Sequence, residues 1–170
     1  MKIFLVGMPG SGKSTLGRQV ADHFKFSFFD LDAVIEQSEG LTIPQIFERH
    51  GEVYFRSVES QCLRNVTSQE DRFVIATGGG APCFHDNMNF INNEGLSVFL
   101  DVSVPELVKR LLSENLELRP IYKDMSVAEV EQKLLEQHKN RFVYYEQAQH
   151  KISKDTISVA DIVSLVQPTL

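Results

Sequence analysis

The sequence predicts an α/β fold: a parallel sheet with helices on both faces. Two features carry this expectation. Short apolar runs alternate with stretches of helical apolar spacing, and a glycine-rich loop joins the first run directly to the first such stretch. The strand-like runs are residues 3–6, 26–29, 73–76 and 97–102, with a weaker one at 151–153. After the first, Leu16, Val20 and Phe24 mark a helix. After the second, Asp32 can cap a helix beginning at Ala33, and Gly40 can end it. The run at 97–102 leads to a helix with Pro105 in its first turn and Val104, Leu107, Val108 and Leu111 on one face. Residues 113–122 break that pattern, as either a mobile loop or a plain surface connection. Val127, Val130 and Leu134, and finally Val159, Ile162, Val163 and Val166, mark two more helices.

With 170 residues, 42% hydrophobic and 24% charged, the chain has room for one core, and we expect a single domain over 1–170. No apolar run approaches the roughly 18 residues of a membrane span, and the N-terminus lacks the features of a signal peptide. Cys62 and Cys83 have no companions at metal-ligand spacing, and the five histidines share none either, so a reducing, cytoplasmic setting is expected. A net charge of −6 argues against non-specific nucleic-acid binding. Any anionic ligand must therefore meet locally concentrated positive groups.

The segment GMPGSGKS at 7–14 satisfies G-x-x-x-x-G-K-[ST] between an apolar strand and an amphipathic helix. Glycines let successive backbone N–H groups face one anion-sized hollow at a helix N-terminus. Gly10, Ser11, Gly12, Lys13, Ser14 and Thr15 are the expected nucleotide-binding residues, with Lys13 on the β- and γ-phosphates and Ser14 on Mg²⁺. A nucleoside triphosphate is the ligand this loop implies. It does not say whether the protein is a kinase, a switch, a motor or a passive binder.

Downstream residues narrow the choice. FFDLD places Asp30 and Asp32 at a strand end, where alternation would send both carboxylates to one side, although the pair could equally cap a helix. YFRSVE holds Arg56 and Glu59 at helical neighbour spacing, open to reading as a surface ion pair. TGGG, Thr77 to Gly80, follows the strand FVIA and implies either close backbone approach to a ligand or a flexible connection.

Taken in order, GMPGSGKST, FFDLD, FRSVE, TGGG, an Arg-Pro pair and NRFVYYEQA resemble shikimate kinases over nearly the whole chain. The resemblance implies a three-layer P-loop fold like that of nucleoside monophosphate kinases, with a five-stranded parallel sheet in the order 2-3-1-4-5. It implies transfer of the γ-phosphate of ATP to the 3-hydroxyl of shikimate, with Mg²⁺. Asp32 would be the base or orienter of the attacking oxygen, and Asp30 would support Mg²⁺ through water beside Ser14. Arg56, Gly78, Gly79, Gly80 and Arg141 would hold shikimate, the arginines on its carboxylate and Glu59 orienting Arg56. Arg119 would close over ATP as part of a lid at about 112–124, Arg110 would stack near adenine, and about 31–62 would form the shikimate-binding region. A monomer without nucleic-acid or membrane partners is expected.

The segment FVYYEQA departs from the family's Pro-Leu-Tyr type of pattern after Arg141, which leaves the helix boundary there open. Asp101, ending SVFLD, is read as structural and not as a Mg²⁺ ligand, and the segment 47–50 as a helix end. A gluconate kinase would share the loop but would not require Asp32, Arg56, TGGG and Arg141 together. A non-catalytic nucleotide switch would not need Asp32, Lys13 and Arg119 intact.

Overall fold

In the computed structural model of the protein, which describes residues 1–113 and 125–169, a parallel five-stranded sheet runs through the chain. The strands are β1 (Lys2–Val6), β2 (Ser27–Asp30), β3 (Phe73–Ala76), β4 (Leu96–Asp101) and β5 (His150–Ser153), in the order β2-β3-β1-β4-β5. Ile3 to Val6 of β1 and all of β3 are buried, which their uninterrupted apolar sequences require of strands covered on both faces.

Seven helices surround the sheet among the described residues: α1 (Lys13–Phe24), α2 (Leu31–Glu39), α3 (Ile43–Gln69), α4 (Asn87–Glu94), α5 (Val104–Ser113), α6 (Val127–Tyr145) and α7 (Val159–Val166). Side-chain capping boxes start three of them: Thr42 with Gln45 at α3, Ser126 with Glu129 at α6, and Ser158 with Asp161 at α7. Pro105 lies in the first turn of α5, as expected. The long α3 breaks at Gly51, whose φ of 78° lies outside helical space, so the segment 47–50 does end a helical stretch.

The topology fixes where a ligand can bind. The chain leaves β1 through α1 for the edge strand β2, whereas it leaves β3 through α4 for β4 on the other side of β1. Right-handed crossovers running in opposite directions place their helices on opposite faces, and a crevice opens at the carboxyl ends of β1 and β3. The loops at that crevice are the glycine loop and TGGG.

One expectation needs correction, and one boundary left open is filled in. The cap of α2 is Asp30, not Asp32: the Asp30 carboxylate accepts from Asp32 N–H at 3.1 Å, and the helix begins at Leu31. Asp32 is therefore in the first helical turn, so alternation along a strand is not what sets its direction. The end of α6 is Tyr145, because without the proline the helix runs on past Arg141. The helix α4 was not legible in the sequence: its Asn-rich segment NMNFINNE contains poor helix formers, and no side chain caps its start.

Candidate active site

Positive φ at Gly7, Gly10 and Gly12 folds the glycine loop back over the start of α1. No side chain caps that helix, and its first turn holds no acidic residue, which leaves its first N–H groups and their partial positive charge for an external anion. Lys13 is buried, and its ammonium donates to Gly7 O and Met8 O at 2.9 Å each, which pins it across the loop. The Ser11 hydroxyl is buried with no hydrogen-bond partner among the described residues. The donor set fits a polyphosphate.

Ser14 Oγ donates to Asp30 Oδ2 at 2.6 Å. One hydroxyl and one carboxylate, with no larger gathering of His, Cys, Asp or Glu among the described residues, suit an ion that keeps most of its waters and shares phosphate oxygens. These residues fit Mg²⁺.

The other wall of the crevice is made of side chains from distant segments. Arg56, on α3, donates from Nη1 to Glu59 Oε2 at 2.8 Å. The Glu59 side chain is 1% exposed, so this is a buried pair and not the surface pair its spacing also allowed. Burial pushes the Glu59 carboxyl above its ordinary range, opposed by Arg56. Burial also raises Asp32, as does the Asp30 carboxylate beside it, while Lys13 and Arg56 pull the other way. Asp32 is open to solvent at the mouth and crowded by protein deeper in, which limits the size of that shift.

The glycine triplet is where these side chains meet. A methyl at Gly78 would lie 2.9 Å from both Asp32 Oδ1 and Glu59 Oε1, one at Gly79 would lie 2.9 Å from Pro9 Cδ and 3.1 Å from Arg141 Nη1, and one at Gly80 would lie 2.6 Å from Arg56 Nη1. None of the three has positive φ. The glycines are needed because charged side chains approach the backbone, a reason the sequence-level choice between ligand approach and flexible connection did not contain.

Thr77 Oγ1 donates to Leu5 O at 3.0 Å, which ties the turn to β1. The buried Tyr145, one helical turn beyond Arg141, donates from its hydroxyl to Gly79 O and ties α6 to the same turn. Sequence reasoning gave Tyr145 no role; its i+4 spacing from Arg141 was the available signal. Cys83 lies beside the site with its thiol pushed up to about 11 by burial, against Arg141 and Arg56, which leaves it a poor nucleophile.

The crevice therefore gathers Gly10 to Thr15, Asp30, Asp32, Arg56, Gly78 to Gly80 and Arg141. Arg110 stands at its edge, donating to Gly10 O, Glu106 and Asp155 O. Arg119 and residues 114–124 of the expected lid lie outside the described residues, while residues 112 and 113 end α5. Asp101, which ends β4, accepts from Ser153 Oγ at 2.8 Å and pairs with Lys151 at 3.2 Å. Among the described residues no helix is long and apolar enough to cross a membrane.

Comparison with known proteins places this geometry. A family model described as shikimate kinase matches residues 9–169. A shikimate kinase of Clostridium botulinum (strain 657 / Type Ba4) is 38% identical over 97% of this chain and 94% of its own length. One from Parabacteroides distasonis is 43% identical over 86% of this chain and 84% of its own. The crystal structure of the Bacteroides thetaiotaomicron shikimate kinase matches with a TM-score of 0.94 at 36% identity, covering 98% of each chain. A solved structure of the shikimate kinase from Acinetobacter baumannii in complex with shikimate matches with a TM-score of 0.86 at 35% identity, over 99% of this chain and 91% of the other.

Proposed function

The chain belongs to the shikimate kinase family, and on that premise we propose which of its residues bind, orient and react. It is an ATP-dependent kinase that phosphorylates the 3-hydroxyl of shikimate, giving shikimate 3-phosphate and ADP, and the family uses ATP with Mg²⁺. The observation that supports the assignment of roles is the facing of two sets of polar groups across one crevice: the uncapped start of α1 with Lys13 on one wall, and Asp32, Arg56 and Arg141 on the other.

In our reading the loop N–H groups from Gly10 to Thr15 take the phosphates, and Lys13 leaves its carbonyl partners to neutralise charge on the β- and γ-phosphates. Ser14, with Asp30, would hold Mg²⁺, which when bound would screen the phosphate charge. Arg56 and Arg141 grip the shikimate carboxylate, which the fork geometry of arginine suits and that of lysine does not. The glycine turn sets both arginines and Asp32 in register.

The 3-hydroxyl oxygen then bonds to the γ-phosphorus while the bond from that phosphorus to the β,γ-bridging oxygen breaks. ADP departs with the electron pair. The hydroxyl proton passes to the Asp32 carboxylate, whose raised proton affinity favours the transfer. Arg110 lies beside the adenine, and the charge of Arg119 helps neutralise the transferring phosphates. We place the acceptor-binding region at about 31–62 of a single domain spanning 1–170, and the protein as a cytoplasmic monomer.

A coupled ADP-release assay with ATP, Mg²⁺ and either shikimate or gluconate, with the product identified by mass, tests the reading. Shikimate-dependent turnover to shikimate 3-phosphate is expected. Turnover with gluconate alone would leave the phosphate loop in place and overturn the acceptor site.

A further inference from the structure

Arg56 is enclosed on nearly every side. Its Nη1 donates to Glu59, and its Cζ lies 5.0 Å from the ring centre of Phe55 and 4.4 Å from that of Phe84. A methyl at Gly80 would come within 2.6, 2.7 and 2.8 Å of Nη1, Nη2 and Cζ, so the glycine backbone covers the tip of the guanidinium. The edge left over is the one formed by Nε and Nη2. Both donate to Glu52 Oε1, each at 3.3 Å.

That edge is the one suited to two parallel bonds with a carboxylate. Glu52 uses it with a single oxygen, at distances longer than the roughly 2.7–2.9 Å of strong charge-assisted bonds. The Arg56 side chain is 11% exposed and that of Glu52 58%, so the weaker partner stands on the solvent side, across the approach to the stronger. Glu52 also directly follows Gly51, where α3 is interrupted and where the backbone has open space around it. A substrate carboxylate and Glu52 cannot hold this edge together.

We propose that Glu52 is an internal stand-in for the substrate's carboxylate: it occupies the Nε–Nη2 edge of Arg56 until the acceptor arrives and is displaced by it. Glu52 thereby sets acceptor affinity and disfavours polyols without a carboxylate, which cannot replace the ion pair they would have to break. The inference rests on the reading of Arg56 as the carboxylate ligand.

The sign of one effect decides it. In Glu52→Gln and Glu52→Ala the KM for shikimate should fall about two- to fivefold, the range expected for releasing a solvent-side ion pair, with the KM for ATP moving less. A rise in the shikimate KM in both variants would mean that Glu52 orients Arg56 for the bound acceptor, and an unchanged KM would mean that the contact is idle; either overturns the proposal. In the Arg56→Lys background the gain from Glu52→Gln should vanish, because the side-on edge is gone. If Arg56→Lys alone leaves the shikimate KM at the wild-type value, it is the placement of the carboxylate at Arg56 that fails. A normal loss in Arg56→Lys with no gain in Glu52→Gln overturns only the role of Glu52.

Discussion

The phosphate wall of the crevice comes from one unbroken loop between β1 and α1, whereas the acceptor wall is collected from segments scattered between Asp32 and Arg141. The first works with backbone N–H groups, which any sequence allowing positive φ at Gly7, Gly10 and Gly12 can present. The second works with side chains that must be brought together by the sheet and then held by one another: Arg56 by Glu59, α6 by Tyr145, and all of them against the glycine turn. A loop fixes a general affinity for phosphate, and an assembled wall fixes which molecule receives it. Losses on the two walls should therefore differ in kind.

The largest losses are expected where the walls face each other. Asp32→Asn removes the proton acceptor and Lys13→Ala the charge on the transferring group, and each should lower kcat by about 10²–10⁴-fold with the fold retained. Turnover within a few-fold of wild type in either variant would take that residue out of the chemistry. Next come losses confined to the acceptor wall. Arg141→Ala gives up a charged hydrogen-bonding partner and should raise the shikimate KM roughly 10–100-fold while sparing that for ATP. Gly80→Ala should approach the same size. Its φ of −89° tolerates alanine, so the obstacle is the methyl against the Arg56 guanidinium. A harmless Gly80→Ala would reduce the turn to a simple connection. Smaller still, Arg110→Ala should raise the ATP KM about two- to fivefold, since Arg110 braces Gly10 from outside the loop. An effect on the shikimate KM instead would put Arg110 on the wrong wall.

The same contrast explains what was legible in the sequence. Strand positions, the sheet order implied by the family resemblance and the phosphate loop could all be read, because apolar runs and a contiguous motif are local signals. Arg56 and Glu59 could be paired by spacing, but their burial could not, because it depends on how α3 meets the glycine turn that follows β3. Capping of α2 was misplaced by two residues because both Asp30 and Asp32 are good caps, and only the backbone decides which carboxylate meets an N–H. Tyr145 and Glu52 escaped notice because their partners, Gly79 and Arg56, are recognisable only once the segments converge or the functional edge of Arg56 is known.

The smallest expected effect runs against the largest. Asp32 carries a raised carboxyl pKa in the folded protein through its crowded site and the nearby Asp30 carboxylate. A raised acid favours the folded state fully below its ordinary value of 3.8, and that contribution is lost as pH climbs through the raised one. At neutral pH the ionised Asp32 therefore costs stability, and Asp32→Asn should melt slightly higher than wild type even as it loses turnover. The gain is limited by solvent at the mouth of the crevice, so it should read as a small rise in Tm. It should shrink as the melts are repeated at progressively lower pH, toward the point where Asp32 is protonated in both states. A melting point that falls at pH 7 would mean that the Asp32 charge is held by Lys13 and Arg56 more strongly than burial opposes it, and the acceptor wall would then be a stabilised ion cluster and not a site strained toward its chemistry.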